Sequence, residues 1–284
     1  MSAIVVAKKD FQDAIRSRTL IALTVLFVLF TVAGAFIATQ IPGVFGEEVA
    51  DTLDLVISLQ TPASFLVPII ALLISYGAVA GERESGSLKF LLGLPHTRRD
   101  VVFGKVLGRT AVVTVSILVG FGAGFFALFV FAGSISPVEY FVFTLLTVLF
   151  GFVYVCIGVG ISSMMRSTTR AAVTAFGLLG LFWLLWTFIG QLALYASTGS
   201  VFSESFPGWY VAFTSLPPGA AYGSAIGAAL GEPAVTTGGG FVAQGTFEGS
   251  LPLIAEPWFG FGLLFIWAAV PLVAGLLRFE RVDL

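Results

Sequence analysis

Six long apolar stretches run along the chain, and none of them contains Asp, Glu, Lys or Arg. A helix that crosses about 30 Å of hydrocarbon needs roughly 20 apolar residues, so each stretch is long enough to span a membrane. Apolar residues occupy every side of these stretches, whereas the strands of a membrane barrel alternate apolar and polar positions. The pattern therefore predicts an all-α integral membrane protein. The predicted spans are residues 20–38, 63–80, 110–131, 140–161, 171–196 and 258–277.

Charge predicts which ends of the spans face the cytoplasm. All 14 Lys and Arg residues lie in the N-terminus, the 2–3 loop, the 4–5 loop or the C-terminal tail, and the other loops carry only acidic side chains. Basic residues collect on the cytoplasmic side of membrane proteins. Both termini are therefore predicted to be cytoplasmic. A missed span would have divided the basic residues between the two sides.

The first apolar stretch has a second interpretation. Lys8 to Arg18, the apolar run and Ala33-Gly34-Ala35 resemble a secretory signal peptide with its cleavage site. The apolar run continues past Ala35, and this favours a first span that is retained. Cleavage would leave five spans and place the new N-terminus outside.

Composition narrows the class of protein. Hydrophobic residues make up 57% of the 284 residues and charged residues only 11%, where soluble domains carry about 25%. These values exclude a soluble enzyme, a disordered chain and a nucleic-acid binder. Cys156 and His96 are the only residues of their kinds, so a disulfide or a thiolate metal site is excluded and a histidine-based metal site has little support.

The predicted spans also lack the groups that drive transport or catalysis. Ion-coupled carriers need ionisable side chains at membrane depth, and the spans contain none. Gln191 is a candidate substrate contact, although an interhelical hydrogen bond is the favoured interpretation. The ATP-binding motif G-x-x-x-x-G-K-[ST] is missing, because Gly104-Lys105 is followed by Val106. A non-catalytic chain without a bound cofactor is therefore expected.

The 2–3 loop, residues 81–109, combines dense charge with a short apolar patch. Leu88, Leu91 and Leu92 have the spacing that places them on one helical face. Thr97 and Asp100 have the spacing of a capping box, which predicts a new helix that runs into the third span. A partner protein's groove would cover the apolar face. An ordinary solvated loop is the alternative.

Two further segments are predicted to lie at the membrane surface. Residues 1–19 alternate apolar and charged side chains and are expected to form an amphipathic interface helix. Residues 197–257 form the outer 5–6 loop, in which 206–231 is apolar and rich in small residues. Re-entrant or interfacial helices broken at Pro217-Pro218 are expected there, with a seventh span as the alternative. Gly238 to Gly240 and their surroundings are interpreted as flexible loop.

The cytoplasmic segments resemble a known family. From Gly81 the loop reads Gly-Glu-Arg-Glu-Ser-Gly-Ser-Leu-Lys-Phe-Leu-Leu, followed by Pro95, Arg98 and Gly104-Lys105. With the six spans and the N-terminal Lys8-Lys9-Asp10-Phe11, this resembles the ABC-2-type transporter permeases. The resemblance is greatest to the branch that includes the copper-enzyme maturation permease of nitrous oxide reductase.

The resemblance implies a multi-pass permease subunit, and an exporter, in the plasma membrane of a prokaryote. The whole chain, 1–284, would be one permease domain that pairs with a second copy. Its 2–3 loop would dock on a separate dimeric ATPase that uses ATP and Mg²⁺, and the 4–5 loop is a second candidate contact or a basic anchor. A membrane-embedded enzyme or scaffold and an ion-driven carrier stay open as alternatives. The docking residues implied by the resemblance are Glu82, Arg83, Glu84, Ser87, Leu88, Leu91, Leu92, Pro95 and Arg98.

Overall fold

A computed structural model describes residues 3–41, 52–88, 97–133, 135–199, 206–231, 235–237, 240–242 and 252–281. Within these residues, six helices are long and apolar enough to cross a membrane, which confirms the predicted number of spans by length and composition. They are Arg18–Gln40, Leu55–Glu84, Arg98–Ala132, Pro137–Met164, Thr168–Thr198 and Phe259–Arg281.

The helices are numbered here in chain order. The first seven are α1 Ala3–Ile15, α2 Arg18–Gln40, α3 Thr52–Ser58, α4 Gln60–Ser75, α5 Ala80–Glu84, α6 Arg98–Ala132 and α7 Pro137–Met164. They are followed by α8 Thr168–Gly180, a π-helical turn Leu181–Leu185, α9 Trp186–Thr198, α10 Gly208–Thr214, α11 Pro218–Leu230, a 3₁₀ turn Leu253–Ala255 and α12 Phe259–Arg281.

The chain falls into two compact units, residues 1–175 with 268–284, and residues 176–267. In the first unit, α6 packs against α1, α2, α4 and α7, so this long helix is the element on which the others are arranged. Aromatic rings fill the space between three of these helices. The Phe121 ring centroid lies 5.3 Å from that of Phe27 on α2 and 5.1 Å from that of Phe143 on α7, and all three rings are buried.

The start of α6 follows the sequence prediction. The Asp100 backbone amide donates to Thr97 Oγ1 (3.1 Å), and the Thr97 amide donates to Asp100 Oδ2 (3.0 Å). This reciprocal pair satisfies amides that have no partner inside the helix, which is why the helix begins at Arg98. The predicted capping box and the predicted helix that continues into the third apolar stretch are both confirmed.

Two helices of the first unit touch backbone to backbone. A Cβ added at Gly160 on α7 would collide with the carbonyl of Pro271 on α12, and one at Gly275 would collide with the carbonyl of Gly160. Small residues allow such close approach between helices in membranes. The two glycines therefore set the distance between α7 and α12.

The second unit is built around aromatic contacts. The Trp186 and Phe213 rings are stacked at 4.5 Å, and Trp186 Nε1 donates to the Phe213 carbonyl (2.9 Å). Gln191 Nε2 donates to the Tyr210 hydroxyl (2.8 Å), which is the interhelical hydrogen bond that the sequence favours. Helices α10 and α11 lie on either side of Ser215–Pro217, and α11 begins at Pro218, a position where proline costs no hydrogen bond.

The predicted outer loop differs from the sequence expectation at one place. Val235–Thr237 (β1) pairs antiparallel with Gly240–Val242 (β2), where flexible loop was expected around Gly238 to Gly240. The flexible-loop interpretation is therefore wrong for residues 235–237 and 240–242, while the six long helices agree with the predicted all-α class. β-branched and aromatic residues on both sides of the glycines favour strands.

Candidate functional site

The charged residues of the 2–3 loop lie at one end of the first unit, together with the N-terminal helix and the end of α12. Helix α5 carries Glu82, Arg83 and Glu84, and Arg98 is the first residue of α6. Residues 89–96 are outside the described residues, and with them Leu91, Leu92 and Pro95 of the predicted docking set. The described members can therefore be placed one by one.

A buried ion network joins α1, α5 and α6. Lys105 is only 2% exposed, and its Nζ donates to Asp10 Oδ1 (3.2 Å) and Glu82 Oε1 (2.7 Å). Arg109 Nε lies 2.6 Å from Asp10 Oδ2, and its Nη1 donates to the Ile74 carbonyl at the end of α4 (2.9 Å). Two cations and two carboxylates thus balance one another, as buried charges must. Asp10, Glu82, Lys105 and Arg109 are called the ion network below.

Two glycines bring the N-terminal helix within reach of this network. A Cβ at Gly104 would lie 2.6 Å from Val6 Cβ and 2.7 Å from the Ala3 carbonyl, and one at Gly108 would lie 2.8 Å from the Ala7 carbonyl. Spaced four apart, both glycines lie on the same face of α6. Helix α1 therefore rests directly on the backbone of α6, at the turn that carries Lys105.

Gly104→Ala is expected to lower stability by about 1–3 kcal/mol, because the new methyl group overlaps backbone atoms that cannot rotate away. Gly122→Ala is the matched control on the same helix, since a Cβ there meets nothing within 4 Å. Alanine in an open helical position is expected to stabilise by about 0.5–1 kcal/mol. Thermal unfolding of the purified variants in detergent measures both. Equal unfolding temperatures for the two variants would contradict the close packing of α1.

The neighbouring loop charges fasten the 4–5 loop. Arg83 Nη1 donates to the Met165 carbonyl (2.9 Å) just after α7. Glu84 accepts from both the amide (2.9 Å) and the hydroxyl (2.6 Å) of Thr168, the first residue of α8. A carboxylate at a helix N-terminus is also favoured by the helix dipole. Glu84 therefore caps α8 from another segment of the chain.

The start of α6 is fastened to the end of α12. Arg98 donates to the carbonyls of Phe279 and Glu280, and Arg99 Nε pairs with Glu280 Oε1 at 2.7 Å. The guanidinium carbons of Arg98 and Arg83 each lie 5.4 Å from the centre of the Phe279 ring, within the range of a cation–π interaction. The C-terminal end of the described chain thereby joins the same cluster.

The remaining described members of the docking set differ in accessibility. Ser87 is exposed, and its hydroxyl lies 3.0 Å from that of Ser85. Leu88 is only 1% exposed, so its side chain is packed inside the first unit. In the single chain, Leu88 is therefore not available to a partner protein. The docking role of the predicted set stays a prediction.

The family is decided by comparison with known proteins. The chain matches the ABC-2 family transporter proteins over residues 4–284, almost its whole length. The chain belongs to the ABC-2 family of transporter proteins. A probable ABC transporter permease protein NosY of Pseudomonas aeruginosa is 32% identical over 196 residues, which cover 67% of this chain and 69% of that protein. A protein of the same name from Stutzerimonas stutzeri is 30% identical over 207 residues, covering 71% and 74%. These relatives confirm the branch that the loop motif resembles.

Of the four residues in the ion network of this ABC-2 protein, only Glu82 is among the site residues predicted from the sequence. In the sequence, Asp10 lies among the charged residues of the predicted interface helix, and Lys105 stands out only as part of the Gly-Lys motif. A usable signal existed for Asp10, because it lies four residues from both Val6 and Ala14 and shares their buried face. The geometry gives each residue of the motif Gly104-Lys105 a role. Gly104 allows α1 to approach the backbone of α6, and Lys105 pairs with the carboxylate of Asp10 on α1.

The described part of this ABC-2 chain contains no group of three or more His, Cys, Asp or Glu side chains that could hold a metal ion. Its ionisable groups at the loop end pair with one another and with backbone carbonyls. Such an arrangement positions the segments that carry these groups.

Proposed function

We propose that this ABC-2 protein is the membrane-spanning permease subunit of an exporter, driven by a separate ATPase that docks on the 2–3 loop. Membership of the family supports a membrane subunit of an ABC transporter. The names of the two relatives describe permease proteins of ABC transporters. ATP and Mg²⁺ would be used by the partner, since this chain lacks an ATP-binding motif.

The observation that carries the proposal is the way the loop is fastened at its two described ends. Before the loop, Glu82 joins the ion network, while Arg83 and Glu84 hold the 4–5 loop. After the loop, Arg98 and Arg99 hold the end of α12. A force applied to residues 85–97 would therefore reach α1, α4, α6, α7, α8 and α12 through ion pairs and hydrogen bonds. Coupling of ATP hydrolysis to a helix bundle requires such a connection.

Orientation and assembly form part of the same proposal. The distribution of basic residues supports cytoplasmic placement of the loop, of both termini and of the ion network. The loop would then face the compartment that holds ATP. We further propose that two copies of the chain form the substrate path between them and bind a dimeric ATPase, in the plasma membrane of a prokaryote.

Docking is tested by the double substitution Leu91→Asp with Leu92→Asp. Leu88 is unsuitable because it is buried and an aspartate there would disturb the fold itself. Two charges on an apolar docking face are expected to reduce the Mg²⁺-dependent ATPase activity that co-elutes with the tagged chain by at least about tenfold, the cost of losing a central interface contact. Leu253→Asp is the matched control, since Leu253 is 81% exposed in the predicted outer loop.

The outcomes separate two failures. ATPase activity that co-elutes equally with the double variant would show that the loop is not the docking surface. Absence of co-eluting ATPase activity from the unmodified chain would overturn the proposed transporter subunit as a whole. Membrane extraction and elution volume of each variant report whether it is still folded.

A further inference from the structure

An apolar groove lies where the N-terminal helix turns into the first span. It has a volume of about 290 Å³ and is lined by Ile15 of α1, Leu20, Thr24 and Val28 of α2, and Val115 and Ser116 of α6. Farther along, α2 and α6 pack tightly, with Thr31 Oγ1 donating to the Gly120 carbonyl (3.0 Å). The groove is therefore confined to the end of α2 that begins at the membrane surface.

The floor of the groove offers hydrocarbon contacts and no free polar group. Thr24 Oγ1 donates to Ser116 Oγ (2.9 Å), and Ser116 donates in turn to the Val112 carbonyl (3.3 Å). Both hydroxyls are thus satisfied within the chain. The rim residues Ile21 and Val25 are exposed, so the groove opens sideways from α2. A side opening next to a membrane span suits a hydrocarbon chain that enters from the bilayer.

Two arginines mark the polar end of this groove. Arg16 and Arg18 lie between the lining residues Ile15 and Leu20 in the α1–α2 turn, and both are exposed. Among the described residues, the structure shows no ion pair or hydrogen bond made by either guanidinium. Asp13 also lies nearby on α1, and it forms no ion pair within the described chain. The turn therefore presents two cations where a span meets the headgroup region.

We propose that this groove binds one anionic phospholipid. One acyl chain would occupy the apolar groove, and the phosphate would pair with Arg16 and Arg18. Charge complementarity selects an anionic headgroup over a zwitterionic one. This proposal requires only that α2 crosses the membrane, so it is independent of ATPase docking.

Native mass spectrometry of the full chain, released from nanodiscs of equal phosphatidylglycerol and phosphatidylcholine, tests the proposal. The unmodified chain is expected to retain one phosphatidylglycerol preferentially. Arg16→Gln with Arg18→Gln is expected to reduce that preference roughly 30-fold, from about 1 kcal/mol for each cation near a membrane surface. Lys8→Gln with Lys9→Gln is the matched control, because both lysines are exposed on α1 and the charge change is the same.

A second variant tests the groove itself. Val25→Trp adds bulk at the exposed rim of the groove and is expected to abolish retention of the lipid, whereas Val130→Trp, an exposed position on α6 outside the groove, is expected to have no effect. Equal losses for the arginine and lysine pairs would overturn the site, since general surface charge would then explain binding. Equal retention of both lipids would overturn the role of the arginines. Efficient disulfide cross-linking of Val25→Cys between two copies would also overturn the proposal, because a second copy would then cover this face.

Discussion

Replacement of Lys105 by methionine is expected to destabilise the protein by about 3–5 kcal/mol, the cost of removing one partner from a buried ion pair. Methionine resembles the aliphatic part of the lysine side chain in length and apolar character, so the packing of that part is nearly unchanged. The charge is lost at a position that is 2% exposed and contacts Asp10 and Glu82. Asp10, itself 6% exposed, would keep only Arg109. Most of the expected cost comes from Glu82, because Lys105 is the cation with which its carboxylate pairs.

Thermal unfolding in detergent, followed by the fraction of monodisperse protein, measures this effect. Lys9→Met is the control, because Lys9 is exposed on the same helix that supplies Asp10. Adding Glu82→Gln to Lys105→Met should restore part of the lost stability, since the unpaired charge disappears while the Asp10–Arg109 pair remains. Coupled residues of one network are expected to be non-additive in this way. An unfolding temperature for Lys105→Met that equals that of Lys9→Met would show that the ion network is not stabilising.

Replacement of Gly160 by leucine is expected to lower the free energy of unfolding by about 3 kcal/mol or more. Overpacking in a core typically costs about 1–3 kcal/mol, and this site lies at the upper end of that range. The first added atom would already collide with the Pro271 carbonyl. That carbonyl is backbone, so relief requires α7 and α12 to move apart rather than a side chain to rotate. Since Gly275 lies against Gly160 in turn, the whole helix contact would be lost.

Gly177→Leu is the matched control for this prediction, because a Cβ at Gly177 on α8 meets nothing within 4 Å. Both variants replace a helical glycine by the same residue, so their intrinsic helix propensities change equally. Unfolding temperature and the yield of monodisperse protein are the measurements. A Gly160 variant as stable as the Gly177 variant would contradict the backbone contact between α7 and α12.

Features that depend on neighbouring residues were predictable from the sequence. Apolar length alone defines the six spans, because the bilayer demands about 20 apolar residues whatever the tertiary packing. The start of α6 was predictable because Thr97 and Asp100 satisfy each other's backbone amides across three residues. The break before Pro218 follows from the conformational restriction that proline imposes on its own helix start.

Features that depend on residues far apart along the chain could not be predicted from the sequence. Lys105 lies 95 residues from Asp10 and 23 from Glu82 along the chain. In sequence, each of these residues resembles a solvated charge on a polar face. The loop charges Glu82, Glu84 and Arg98 were predicted as docking residues, and the structure adds intrachain partners for each of them. Leu88 has the spacing of an exposed apolar face, yet tertiary packing buries it.

By itself, the sequence determined that this protein is a helical membrane protein with six spans, and its loop motif indicated the ABC-2 family. Those properties follow from the length of the apolar stretches and from the local order of residues. Both can be recognised without knowledge of the tertiary structure. Tertiary structure decided which charges are buried and paired, and which glycines separate helix backbones. Ion pairing and close packing depend on distances in space between segments, and residue order along the chain does not specify those distances.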